Sequence, residues 1–228
     1  LWKTTNRGVT FRSITDDLPT HSIGDVAVHQ VDTERVWLGM GERASRQSSS
    51  WGDGVWRSDD GGETWTHVGL EDSKHIGRIA VHPTDPDVAF VAAMGHLWGP
   101  NDERGLYRTT DGGDSWERVL FVDENTGAVD VAIDPVDPQI MYASTYQRRR
   151  RPWGFHGGGP GSALWKSMDG GSNWEKMTNA MIDHGLPTGI LGRIGISIHR
   201  NDSRIVYVSV EQGLRYNAST AYEERQAG

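Results

Sequence analysis

Cysteine is missing from all 228 residues. That excludes disulfide bonds and a disulfide-rich animal ectodomain, and is compatible with a bacterial cytoplasm or envelope. No apolar run approaches the roughly 20 residues needed to cross a bilayer as a helix, so no membrane span is expected. Neither a signal peptide nor an initiator Met is visible, and the chain is expected to be a section of a longer protein. A basic excess is also missing. Lys and Arg number 23 against 31 Asp and Glu, a formal net charge of −8, which argues against nucleic acid as the main partner. Helical periodicity, a Ser-His-Asp order and a phosphate-binding glycine loop are absent too. What remains is a glycine-rich chain, 29 Gly and 36% hydrophobic residues, with enough apolar side chains to bury a core.

One octapeptide recurs. Ser58-Asp59-Asp60-Gly61-Gly62-Glu63-Thr64-Trp65 returns as Thr109-Thr110-Asp111-Gly112-Gly113-Asp114-Ser115-Trp116 and as Ser167-Met168-Asp169-Gly170-Gly171-Ser172-Asn173-Trp174, with a weaker copy at Thr4-Thr5-Asn6-Arg7-Gly8-Val9-Thr10-Phe11. The period, roughly 50 residues, is that of a propeller blade rather than a helical repeat. A short aromatic run precedes each copy, as in Gly54-Val55-Trp56-Arg57 and Gly105-Leu106-Tyr107-Arg108. About 20 residues after each box comes a further strand pattern: Asp25-Val26-Ala27-Val28, Arg78-Ile79-Ala80-Val81, Asp130-Val131-Ala132-Ile133 and Arg193-Ile194-Gly195-Ile196. Another follows at once across turns rich in Asp and Pro. Each repeat is therefore read as four short antiparallel strands, with the box in the turn between third and fourth. The expected organisation is a half-blade over residues 1–20, blades over about 21–70, 71–122 and 123–180, and a half-blade over about 181–228. The open sheet edges are expected to meet further blades or to self-associate.

The box explains itself without a ligand. A short acidic side chain in a tight turn accepts hydrogen bonds from backbone N–H groups ahead of it, and Gly62, Gly113 and Gly171 permit backbone angles that side chains forbid. Trp65, Trp116 and Trp174 would then open the outermost strand and pack inward, with the indole N–H near the wet rim. Asp60, Asp111 and Asp169 are accordingly fold residues rather than catalysts or ligands. The pattern S/T-x-D-x-G-x-x-W resembles the Asp-box, or BNR repeat, of sialidases, some glucanases and sortilin-type propellers, and the chain is most similar to the sortilin type found in bacterial secreted proteins. That resemblance implies an all-β propeller in a secreted, periplasmic or cell-envelope protein. It implies little about activity, because the same fold carries unrelated functions.

Function is expected on the face away from the boxes, where the loops are long: residues 41–53, 95–104, 147–161 and from Gln212 onward. In the third, Arg148, Arg149, Arg150 and Arg151 form a local anion site, and Trp153, Phe155 and His156 offer stacking faces. The alternative is pairing of those arginines with Asp102 and Glu103. Glu42, His96, Gln147 and Gln212 share one register beyond the second strands and are expected to ring the central mouth, joined by Arg43, Trp98 and Arg104. His29, His82, Asp134 and His199 share another register. Recurrence in every repeat argues for a turn role there, and no metal or other cofactor is expected.

Two readings follow. The first is a non-catalytic scaffold that binds protein or glycan on the long-loop face. The alternative is a glycoside hydrolase, which needs two carboxyl groups roughly 5 to 10 Å apart across a cleft. Asp102, Glu103 and Glu42 are its candidates, with Asp53 beside them, though none stands in a recognisable catalytic motif.

Overall fold

The computed structural model describes residues 1–44, 48–178 and 185–212. The segment from residue 213 onward, including most of the fourth long loop, lies outside them. Strands pair with their neighbours in chain order, always antiparallel. A two-stranded sheet, β1 (Trp2–Lys3) and β2 (Arg12–Ser13), comes first. Two four-stranded sheets follow: β3 (Ile23–Val28), β4 (Val36–Met40), β5 (Val55–Ser58) and β6 (Thr66–His67), then β7 (Ile76–Val81), β8 (Ala89–Ala93), β9 (Gly105–Thr109) and β10 (Glu117–Leu120). The next sheet contains β11 (Thr126–Ile133), β12 (Met141–Arg151), β14 (Ala163–Ser167) and β15 (Glu175–Lys176), while β13 (Gly154–Gly157) pairs with the far end of β12. A two-stranded sheet of β16 (Leu191–Ile198) and β17 (Val206–Gln212) is last. The only helical piece among the described residues is a 3-10 turn, Glu71–Ser73. The fold is all-β, a section of a β-propeller, and the two short sheets are not paired with each other.

The core lies between successive sheets rather than inside any one. Trp37 and Val55 from one blade meet Ile76, Ile79 and Val91 from the next. Phe90 and Leu106 meet Val131 and Met141 in the same way, and Leu164 meets Ile194 and Ile196. Such stacking covers both faces of a strand. The second strands β4 and β8 are buried along their whole length and read as continuous apolar runs. Each blade therefore draws its stability from its neighbours.

Four hydrogen bonds repeat in every box. In the first, the Ser58 hydroxyl donates to Asp60 Oδ1 at 2.7 Å and accepts from the Gly62 N–H at 2.7 Å, while the Thr64 N–H and hydroxyl donate to the two Asp60 oxygens at 2.9 and 2.6 Å. Thr109, Asp111 and Ser115 repeat the pattern, as do Ser167, Asp169 and Asn173. Gly62 has φ +92° and Gly113 φ +96°, a region that side chains strain to enter. The weak copy folds the same way with Asn6 in place of the acid. Its Oδ1 accepts from the Thr10 N–H at 2.9 Å and its amide donates to the Thr10 hydroxyl at 2.8 Å.

The box tryptophans differ from expectation in one respect, because their N–H groups are not left to water. Trp65 donates to Ile14 O at 2.7 Å and Trp116 to Val68 O at 2.6 Å, carbonyls of the preceding sheet's outer end, whereas Trp174 donates to its own Gly171 O. The basic residue ahead of each of the first three boxes also reaches forward to the next. Lys3 donates to Gly61 O, Arg57 to Gly112 O and Arg108 to Gly170 O. Boxes thus bind blade to blade as well as closing turns.

These donors hold the carboxyls of Asp60, Asp111 and Asp169 near 2, below the ordinary 3.8, chiefly through the side-chain donors Thr64, Ser115 and Asn173. A depressed folded-state pKa gives stability that is present above about pH 4 and lost as pH falls toward 2. Acid unfolding followed by circular dichroism is expected to steepen across that window. Asp60→Asn, which copies the native Asn6 box, is expected to keep the turn and lessen the acid loss.

First strands carry a bulge at matching places, between Ile23 and Asp25, Ile76 and Arg78, Ala128 and Asp130, and Leu191 and Ile194. At the second of these, a Cβ on Gly77 would strike the Val129 carbonyl of the next blade, so the innermost strands approach as closely as their backbones allow. Pairing with β17 makes Gly195-Ile196-Ser197-Ile198, not Arg193 to Ile196, the equivalents of Arg78 to Val81. The fourth repeat is longer between its box and this strand, with 26 positions from Asp169 to Gly195 against 18 from Asp60 to Arg78 and 19 from Asp111 to Asp130. The same pairing aligns His199 with His29, His82 and Asp134, and these four accept turn N–H groups through a ring nitrogen or carboxylate.

Candidate functional site

The long connections between second and third strands all leave the sheets on the face opposite the boxes. In the third blade the expected loop is instead a β-hairpin. β12 overruns its sheet and folds back as β13, pairing Arg149 with His156, Arg150 with Phe155 and Arg151 with Gly154. Pro152 and Trp153 make the turn. Arginine is a modest strand former, but its aliphatic stem packs well, and the ribbon is laced by cation–π contacts of Arg150 with Phe155 (5.8 Å) and Arg151 with Trp153 (5.9 Å). Arg150 N–H donates to Leu97 O at 2.8 Å, which docks the hairpin on the loop of the second blade.

Two of the expected ligand arginines lie inside. Arg148 is 2% exposed, with Nη1 3.6 Å from Met94 Sδ. Arg104 is 1% exposed, and its Nη2 donates to His96 O at 2.9 Å and Arg148 O at 3.1 Å. Burial pushes both guanidinium pKa values down to about 10. They staple the hairpin base to the 95–104 loop, which Asn101 closes by donating to His96 O and Gly99 O. His96 is half-buried in that loop, its pKa lowered first by desolvation and then by Arg104.

Glu42 and Arg43 open the first blade's loop. Glu42 and Ser50 exchange hydrogen bonds, Glu42 N–H to Ser50 O at 3.0 Å and Ser50 N–H to Glu42 Oε2 at 3.2 Å. Beside them an open cleft of about 470 Å³ is lined by His21, Ser22, Ile23, Glu42, Ser50 and Trp51. Below it, His75 is fully buried, and its Nδ1 donates to Glu42 O at 3.0 Å. Desolvation and then Arg148 push its pKa down to about 4, so it supports the loop as a neutral ring. Nothing in the sequence marks His75, a lone histidine ahead of a strand.

Of the residues expected to ring the mouth, Gln147 lies within β12 and accepts from Gly161 N–H at 3.2 Å, and Gln212 ends β17, donating to Thr188 O. The innermost strands also carry a charged network. Arg78 donates to Asp130 at 2.9 Å and lies 4.0 Å from Asp25, as does Arg43, and Arg193 donates to the Arg43 carbonyl at 3.2 Å. Asp25 and Asp130 also accept N–H groups of the following blade, Ile79 at 2.8 Å and Ile196 at 2.9 Å. Burial, then Arg43, lowers the Arg193 pKa. This network locks adjoining blades.

Asp102 and Glu103 are consecutive on one turn and so do not face each other across a cleft. Asp102 O accepts from Arg118, and among the described residues neither carboxylate pairs with Arg149 or Arg150. What the face does present is aromatic. Trp51 (59% exposed), Trp98 (49%) and Trp153 (69%) stand on three successive blades, one on each long connection. A sequence reading that weighed the tryptophans blade by blade would have found Trp51 as well.

The profile of the sortilin (neurotensin receptor 3) Vps10 family matches residues 53–223, three quarters of the chain. The chain belongs to the Sortilin-Vps10 family. The Sortilin-Vps10 match opens in the first complete blade and runs past β17. Xyloglucanase Xgh74A of Acetivibrio thermocellus is 30% identical over 139 residues, 54% of this chain and 15% of that protein. A Paenibacillus xyloglucanase is 26% identical over 141 residues, 55% of this chain and 12% of that protein. A vacuolar protein sorting/targeting protein 10 of Sordaria macrospora is 40% identical over 65 residues, 28% of this chain and 4% of that one. This chain thus spans a small part of the relatives' length. Among solved structures, the GH74 xyloglucanase of Xanthomonas campestris superposes with a TM-score of 0.66 at 18% identity, over 94% of this chain and 31% of the other, which shows the fold. No helix among the described residues is long and apolar enough to cross a membrane.

Proposed function

We propose that this chain is a propeller section that binds a glycan along its long-loop face, without itself performing chemistry. One observation carries the reading: exposed Trp51, Trp98 and Trp153 recur on successive blades of one face. Sugar rings present apolar C–H faces that stack on exposed indoles, while their hydroxyls need polar partners, and the cleft beside Trp51 supplies His21, Ser22, Glu42 and Ser50. Similarity to xyloglucanases points to the same ligand class. In this reading the half-blade 1–20, the blades 21–70, 71–122 and 123–180 and the half-blade 181–228 form one scaffold, placed outside the cytoplasm where polysaccharide is met.

Hydrolysis is the second reading, favoured by that similarity and by Glu42 standing in the Trp51 cleft. Both are tested by incubating the protein with xyloglucan and other plant and microbial glycans while recording binding and release of reducing sugar in the same samples. Binding without turnover supports the scaffold. Turnover that disappears in Glu42→Gln would make this a hydrolase, and no binding to any glycan would leave the protein-ligand role of a sortilin-type scaffold.

A further inference from the structure

We propose that the arginine hairpin selects uronate-bearing glycans, so that the polysaccharide held on the long-loop face is acidic rather than neutral. The inference rests on the glycan-binding reading above and names its ligand class. Several arginines of this acidic chain are spent internally: Arg12 on Glu63, Arg35 on Asp59 and Asp87, Arg78 on Asp130, Arg108 on Glu117 and Arg204 on Asp202. Arg149 and Arg150 differ. Among the described residues neither forms an ion pair with a carboxylate, although both are only half-buried and stand on the same face as the exposed tryptophans.

Strand alternation sets Arg149 and Arg151 on one face of the ribbon, with His156 across from Arg149, and puts Arg150 and Phe155 on the other. The backbone bond from Arg150 to Leu97 holds the hairpin beside Trp98, and Trp153 forms its tip. A cation fork next to indole faces matches one chemistry well. A uronic acid carries its carboxylate on the carbon beside the ring's apolar face, so a ring stacked on Trp153 or Trp98 brings two oxygens to a planar guanidinium. A neutral glucan would leave those donors to water.

The test compares binding of polygalacturonate, its fully methyl-esterified form and xyloglucan at low salt by isothermal titration. Polygalacturonate is expected to bind at least about tenfold tighter than the ester, which keeps the ring and removes the charge. The double variant Arg149→Gln, Arg150→Gln is expected to abolish that difference while leaving xyloglucan affinity unchanged, and Arg149→Gln alone, which spares the Arg150–Phe155 contact, to reduce it with the melting temperature unchanged. Equal binding of acid and ester by the unaltered protein, or a preference that survives in the double variant, would overturn the proposal and leave glycan binding standing. Failure to bind any of the three would instead remove the glycan reading on which it rests.

Discussion

Trp116→Ala is expected to lower stability by about 3–5 kcal/mol, the usual result of truncating a packed aromatic, and to leave ligand affinity unaltered. Trp116 meets Trp37 edge-on, ring centroids 6.2 Å apart at 79°, and donates its N–H to Val68 O of the preceding sheet. The substitution therefore removes an aromatic contact, opens a cavity against the fully buried Trp37 and leaves a carbonyl without its donor. Phe11, at the matching position of the weak copy, is 57% exposed. Phe11→Ala is expected to change stability by no more than about 0.5 kcal/mol. Chemical denaturation of the two variants side by side checks the contrast. Equal losses would mean that the box aromatics act locally rather than by joining blades.

The second large effect is expected on binding. Replacing Trp51, Trp98 or Trp153 singly with Ala should weaken glycan affinity by about 1–2 kcal/mol, tenfold or more, as removal of an aromatic anchor does. Stability should hardly change, since each indole is largely in water. The triple variant should lose measurable binding. If one tryptophan carries the whole effect and the other two none, the ligand occupies a single blade rather than lying along the face.

The boxes were legible because their chemistry is local. Ser58, Asp60, Gly62 and Thr64 satisfy one another within seven residues, so the pattern alone dictates the turn, and even Asn6 fits it. Strand order followed from counting the patterns between boxes. The slip in the fourth repeat arose because Arg193-Ile194-Gly195-Ile196 and Gly195-Ile196-Ser197-Ile198 both alternate acceptably, and only pairing with β17 chooses between them.

The candidate site was harder to read, since its logic is tertiary. Four arginines and a Pro-Trp turn give little sign of a strand until β13 supplies the partner. The interior position of Arg148 depends on Met94 and Arg104 from another blade, and the support His75 gives to Glu42 spans 33 residues. Asp25 and Asp130 likewise look like ordinary strand ends in the sequence, yet each accepts a backbone N–H from the following blade.

Hydrogen–deuterium exchange, recorded with and without a bound glycan oligosaccharide, tests most directly the division between a box face that builds the propeller and a loop face that recognises ligand. Protection is expected in residues 41–53, 95–104 and 148–157, with the boxes at 58–65, 109–116 and 167–174 unchanged. Protection centred on the boxes, with the long connections unaffected, would contradict the account.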